Sequence, residues 1–123
     1  MKRRVVVTGL GVISPVGNDV AATWRALLAG TSGAAGITKF DPTNFPVRFA
    51  CEVKNFDPLQ YMDRKEAKRA DAYTQYAVAG AVQAMVDAGL TDLGSVDPFV
   101  QLKVMIPHGS MAELMGGVLF KIS

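Results

Sequence analysis

Apolar and polar positions divide the chain into a short series of elements. Val5 to Val7 is a β-branched run that ends in Thr8-Gly9-Leu10-Gly11. This is the pattern of a buried first strand entering a tight connection, with Val12 and Ile13 available to extend it. Ser14-Pro15-Val16-Gly17-Asn18 is turn chemistry, and Asn18 or Asp19 can cap a helix carrying Val20, Trp24, Leu27 and Leu28 that stops at Gly30. From Thr31 to Pro46, isolated Ile37, Phe40 and Phe45 interrupt a Gly, Thr, Ser, Pro and Asp text, which predicts a loop pinned by apolar anchors. Val47 to Val53 alternates with period two and predicts a half-buried strand.

After the Asn55-Phe56-Asp57-Pro58 turn, Arg64 to Ala88 contains no proline. Tyr73, Tyr76, Ala77, Gly80, Ala81, Ala84, Met85 and Ala88 fall on one helical stripe, Gly89 fits a C-terminal cap, and Asp71 can start a second helix. The small residues of that stripe let a helix lie close to a sheet or to another helix. Leu102 to Ile106 fits a short third strand, whereas Met111 to Ile122 is apolar without a clear period.

Composition narrows the function classes. Half of the 123 residues are apolar and 20% are charged, as in an ordinary globular domain. A formal charge of +2 is too small for a nucleic-acid binder that works by whole-surface attraction. No apolar run is long enough for a membrane span, and the basic start Lys2-Arg3-Arg4 leads into a strand pattern rather than a signal peptide. One cysteine, Cys51, allows no internal disulfide and no multi-cysteine metal site, so a reducing cytoplasm is expected.

Four of the 13 Lys and Arg and one of the 11 acids lie between Arg64 and Arg69, so this window carries +3 and the rest of the chain −1. On a helix Lys65, Lys68 and Arg69 share one face. That face suits an acidic helix or a phosphate-bearing partner, although its spacing alone favours a solvated surface. The glycines of Gly9-Leu10-Gly11-Val12-Ile13-Ser14 invite a dinucleotide loop, but Ser14 stands where the fingerprint needs its third glycine and no acid follows at the required distance. Cys51 in a strand reads as a small buried hydrophobe. His108, the one histidine, falls in a turn, and Ser14, Ser32 and Ser110 lie in Gly- or Pro-rich turns with no nucleophile elbow. No cofactor or metal is implied, and no catalytic residue stands out.

Several of these segments resemble the N-terminal end of the β-ketoacyl-acyl carrier protein synthases, type II. The residues that carry the resemblance are Lys2-Arg3-Arg4-Val5-Val6-Val7-Thr8-Gly9-Leu10-Gly11, Ser14-Pro15-Val16-Gly17-Asn18 and Trp24-Arg25-Ala26-Leu27-Leu28-Ala29-Gly30. Ser32-Gly33, Phe40-Asp41, Arg64-Lys65-Glu66, Asp71-Ala72-Tyr73, Gln75-Tyr76, Val82-Gln83-Ala84-Met85 and Asp87-Ala88-Gly89-Leu90 continue it. It implies an α/β chain that is an incomplete N-terminal part of a thiolase-like, layered αβαβα fold, with residues 1–98 in the synthase domain and 99–123 a divergent segment. It also implies a transferase of fatty-acid biosynthesis, a homo-oligomer that joins acyl and malonyl units by decarboxylative Claisen condensation.

The nucleophilic cysteine and the two histidines of that chemistry belong to motifs beyond residue 123 in the family, so Cys51 and His108 do not inherit their roles and the chain alone is expected to lack condensing activity. What the resemblance transfers is the docking face: Lys65, Lys68 and Arg69 match basic positions that receive the acidic acyl carrier protein. A non-catalytic module that binds a carrier protein or a synthase subunit is the alternative. The missing strands of the family sheet imply an open sheet edge, and with it self-association or dependence on a partner chain. No nucleic acid or membrane partner is expected.

Overall fold

The computed structural model describes residues 6–90 and, as backbone, the strands at 102–105 and 118–122. The first strand, β1, runs Gly9–Ile13 with Gly9, Gly11 and Ile13 pointing inward. Helix α3, Ala72–Asp87, lies across that inward side. A Cβ on Gly11 would run into the Gly80 carbonyl oxygen and stand 2.8 Å from the Ala84 nitrogen; one on Gly9 would meet the Ala84 carbonyl oxygen and the Ala88 nitrogen at 2.7 Å. Helix backbone therefore rests directly on strand backbone. This differs from the expectation of a strand at Val5 to Val7 followed by a glycine turn: Val6 is 58% exposed and Val7 48%, and neither belongs to the strand. The glycines serve close approach, which requires them within the strand rather than after it.

Both edges of β1 carry partners. Along one, strand β5 (Val118–Ile122) pairs antiparallel from Gly9 opposite Ile122 to Ile13 opposite Val118. Strand β4 (Leu102–Met105) adds to the outer side of β5, giving the order β1-β5-β4. Along the other edge two side chains of α3 replace a strand: the Leu10 amide donates to Asp87 Oδ2 at 2.9 Å and the Val12 amide to Gln83 Oε1 at 3.0 Å. The match is geometric. Two strand residues rise about 6.8 Å and four helix residues about 6 Å, so alternate strand amides meet i, i+4 side chains.

Ser14 and Gly17 close a tight turn with mutual backbone bonds, and the Ser14 hydroxyl donates to the Gly17 carbonyl at 3.0 Å. Helix α1 (Val20–Leu28) follows, capped by Asp19, whose carboxylate accepts from the Ala22 amide at 2.7 Å. Gly30, at φ +66°, ends it in the left-handed conformation that glycine adopts without strain. No residue of α1 is buried, and Leu28 is 71% exposed. Within the expected loop, strand β2 (Ala35–Gly36) pairs with β3 (Phe49–Ala50). Phe40 and Phe45 meet edge to face at 5.5 Å, although both rings remain exposed.

The strand expected over Val47 to Val53 shrinks to two residues and its alternation is lost: Val47, Arg48 and Phe49 are all exposed while Glu52 is buried. Donors on Thr38 and Lys39 draw the carboxylate inward, overriding the hydrophobic pattern.

The proline-free stretch from Arg64 to Ala88 is two helices, α2 (Arg64–Arg69) and α3, separated where Ala70 leaves the helical conformation at ψ 134°. Of the expected stripe, Tyr76, Gly80 and Ala84 are buried, whereas Tyr73 is 40% exposed. Ala79, outside that stripe, is fully buried, because α3 meets β1 and β5 over a broader arc than one stripe covers. Ile13, Tyr76, Ala79 and Ala84 make the core, flanked by Val53, Phe56, Tyr61 and Met85. At the far end Leu90 donates to the Met85 carbonyl beyond Gly89, at φ +72°, which closes α3 as its sequence predicts.

Candidate functional site

Helix α2 presents the basic cluster. Asp63 caps its start, its carboxylate accepting from the Lys65 amide at 2.7 Å and the Glu66 amide at 2.8 Å. Glu66 lies in the first turn, and Lys68 and Arg69 in the last, each on the side the helix dipole favours. Arg64, Lys65, Lys68 and Arg69 are all exposed. Helix geometry brings Lys65, Lys68 and Arg69 to one face, as their spacing requires.

Six residues are too few to hold a helix in water unaided. The support comes from its neighbours. Gln75 on α3 donates through Nε2 to the Ala67 carbonyl at 2.9 Å and to the Ala70 carbonyl at 3.2 Å, closing the end of α2. Before α2, a 3-10 turn at Pro58–Gln60, capped by Asp57, delivers Tyr61 to the core. The Tyr61 ring stacks on Phe56 at 6.1 Å, Phe56 meets Tyr76 edge-on at 5.0 Å, and the Tyr61 hydroxyl accepts from Gln83 Nε2 at 3.0 Å. Since Gln83 also donates to the Asn18 carbonyl and accepts from Val12, one side chain links β1, the turn after it and the root of the basic helix.

A cleft of about 350 Å³ opens between the β2–β3 pair and the following loop, lined by Thr38, Lys39, Glu52, Lys54 and Asn55 among others. The Glu52 carboxylate accepts from the Thr38 hydroxyl at 2.7 Å and from the Thr38 and Lys39 amides at 3.2 to 3.3 Å. The Thr38 hydroxyl is the main reason its carboxyl titrates below the ordinary value, and the Lys39 charge acts in the same direction. With its oxygens so engaged, Glu52 ties two loops together and offers no free base. Lys54 is turned to the Gly33 carbonyl at 3.2 Å, and the Lys39 ammonium stands 6.0 Å from the centre of the Tyr76 ring.

Cys51 is half-buried just beyond β3. His108 and Ser110 lie outside the described residues. The Gly9 loop holds no space for a phosphate, because α3 occupies the ground its glycines open. Among the described residues no group of three His, Cys, Asp or Glu is placed to hold a metal ion, and no helix is long and apolar enough to cross a membrane. Gln75, Gln83 and Glu52 are the side chains that sequence reasoning missed. The one sequence signal for the first two is a glutamine on a helix face otherwise rich in small residues.

The described residues thus place a glycine-bearing strand under a small-residue helix, with a short basic helix leading into it. The β-ketoacyl synthase N-terminal domain matches residues 2–113, and the chain belongs to that family. Among curated relatives, the 3-oxoacyl-[acyl-carrier-protein] synthase 2 of Vibrio cholerae is 56% identical over 89 residues, 72% of this chain and 22% of the relative. The synthase 2 of Coxiella burnetii is 52% identical over the same length, with the same coverage of both chains. The solved structure of the ishigamide ketosynthase/chain length factor shares the thiolase-like fold with TM-score 0.68 and 45% identity, over 74% of this chain and 23% of that one. The chain thus spans about a fifth of the length of the curated relatives it matches.

Proposed function

We propose that this chain forms the N-terminal, carrier-docking part of a 3-oxoacyl-acyl carrier protein synthase of fatty-acid biosynthesis, working in the cytoplasm. In that reaction the malonyl-carrier protein loses carbon dioxide, and the resulting carbanion attacks an acyl thioester held on an enzyme cysteine, breaking its C–S bond and releasing the cysteine as thiolate. The present residues contribute the framework strand and the surface that receives the carrier; the condensing groups belong to later motifs of the family. The observation that carries the reading is the exposed basic face of Lys65, Lys68 and Arg69 on a capped helix, in a chain whose relatives are named for an acyl-carrier protein. Its charge complements an acidic carrier, and such rim charges act chiefly on association rate and salt dependence. A second synthase polypeptide is the other partner we propose, supported by Trp24, Leu27 and Leu28, which α1 turns outward.

Titration of holo-acyl carrier protein into the 123-residue chain and into its Lys65→Glu/Lys68→Glu variant, at low and high salt, tests the docking. The reading requires the variant to bind about tenfold or more weakly at low salt and to lose most of its salt dependence. Equal affinities and equal salt slopes would leave the cluster a solvated face.

A further inference from the structure

We infer that Gln75 is the positioning residue of the docking surface: it holds α2 helical and fixed against α3, so that the basic face is formed before the carrier arrives. This rests on the docking reading above. Three observations carry it. Helix α2 is six residues long, and its chain breaks away at Ala70, so its last carbonyls have no helical successor. Gln75 Nε2 reaches two of them, on Ala67 and Ala70, from the second turn of α3. The Gln75 backbone amide in turn donates to the Asp71 carbonyl at 3.0 Å, which seats the first turn of α3, whose N-cap Asp71 makes no side-chain capping bond.

The joint between the two helices therefore depends on one amide side chain. Asp63 secures the start of α2 and Gln75 its end, and the cations Lys65, Lys68 and Arg69 lie between these two anchors. Without Gln75 the cations keep their charge and lose their shared geometry. The carrier would then have to order the helix as it binds, and affinity would fall by the ordering cost.

Gln75→Met keeps side-chain length and removes both donors. In this variant of the full chain, amide hydrogen exchange should accelerate at Ala67 and Ala70, whose amides close the turns of α2, and stay unchanged in β1 and in α3 beyond its first turn. Affinity for holo-acyl carrier protein should fall about three- to tenfold, the scale of a lost hydrogen bond. In the Lys65→Glu/Lys68→Glu background the same substitution should cause no further loss, because the geometry it sets no longer matters. Unchanged exchange in α2 would overturn the inference. So would faster exchange with undiminished affinity, or an equal loss in both backgrounds. If charge reversal itself leaves affinity unaltered, the docking reading fails and takes the carrier half of the inference with it, while exchange still reports independently whether Gln75 orders α2.

Discussion

At Gly9 and Gly11 the absence of a side chain is the structural contribution. The α3 backbone occupies the position each Cβ would take, so alanine there must push helix and strand apart. Overpacking of this kind costs about 1–3 kcal/mol, and here the obstacle is backbone, which yields less readily than a side chain. Gly11→Ala should therefore lower the unfolding free energy, read from urea denaturation, by an amount at or above the top of that range, whereas Gly36→Ala, with open space around its Cβ, should leave it nearly unchanged. Equal unfolding free energies for the two variants would mean that α3 does not rest on β1. In the sequence the glycine pair was visible but its purpose was not. Ser14 argued against a phosphate loop, and the partner that explains the glycines is the Gly80–Ala84 stretch some seventy residues away. Gln83 was hidden for the same reason, since its three partners belong to three different segments.

Elements were legible where local rules decided them. Asp19 and Gly30 bound α1 and Gly89 ends α3 as local chemistry predicts, while Asp71 stands at the expected restart of α3 without making a side-chain capping bond. Strands fared differently, because a two-residue β3 and the exposure of Phe49 and of Val47 before it follow from where Glu52 finds donors rather than from alternation. That anchor has a pH signature. The Glu52 carboxyl lies below its ordinary value of 4.5, chiefly through the Thr38 hydroxyl, so the folded state takes up a proton less readily than the unfolded one. Its stabilisation is therefore complete above the ordinary glutamate range and disappears as pH falls through the lowered native value. Asp41, held down by Thr43, titrates in the same direction. Glu52→Gln should consequently be less stable than the parent at neutral pH and show a shallower decline in unfolding free energy on acidification. Parallel pH profiles for the two proteins would contradict the anchoring role.

On the scale of the whole molecule, β1 joins the chain's distant parts: β5 pairs along one edge while Gln83 and Asp87 close the other. The open sheet edge was anticipated from the missing strands of the family sheet; separately, Met111 to Ile122 shows no period, and nothing local announces that Val118–Ile122 returns to β1. The segment set apart at 99–123 thus supplies β4 and β5. This frame fixes α3, α3 fixes α2 through Gln75, and α2 displays the cations. The most direct test is a titration of the isotopically labelled chain with holo-acyl carrier protein, followed residue by residue in amide NMR spectra. The account predicts that the largest shift changes fall between Asp63 and Ala70, diminish with added salt and leave the Gly9–Asn18 segment undisturbed. Saturable binding whose shifts centre elsewhere, or no shift changes at all, would contradict a carrier-docking function for this face.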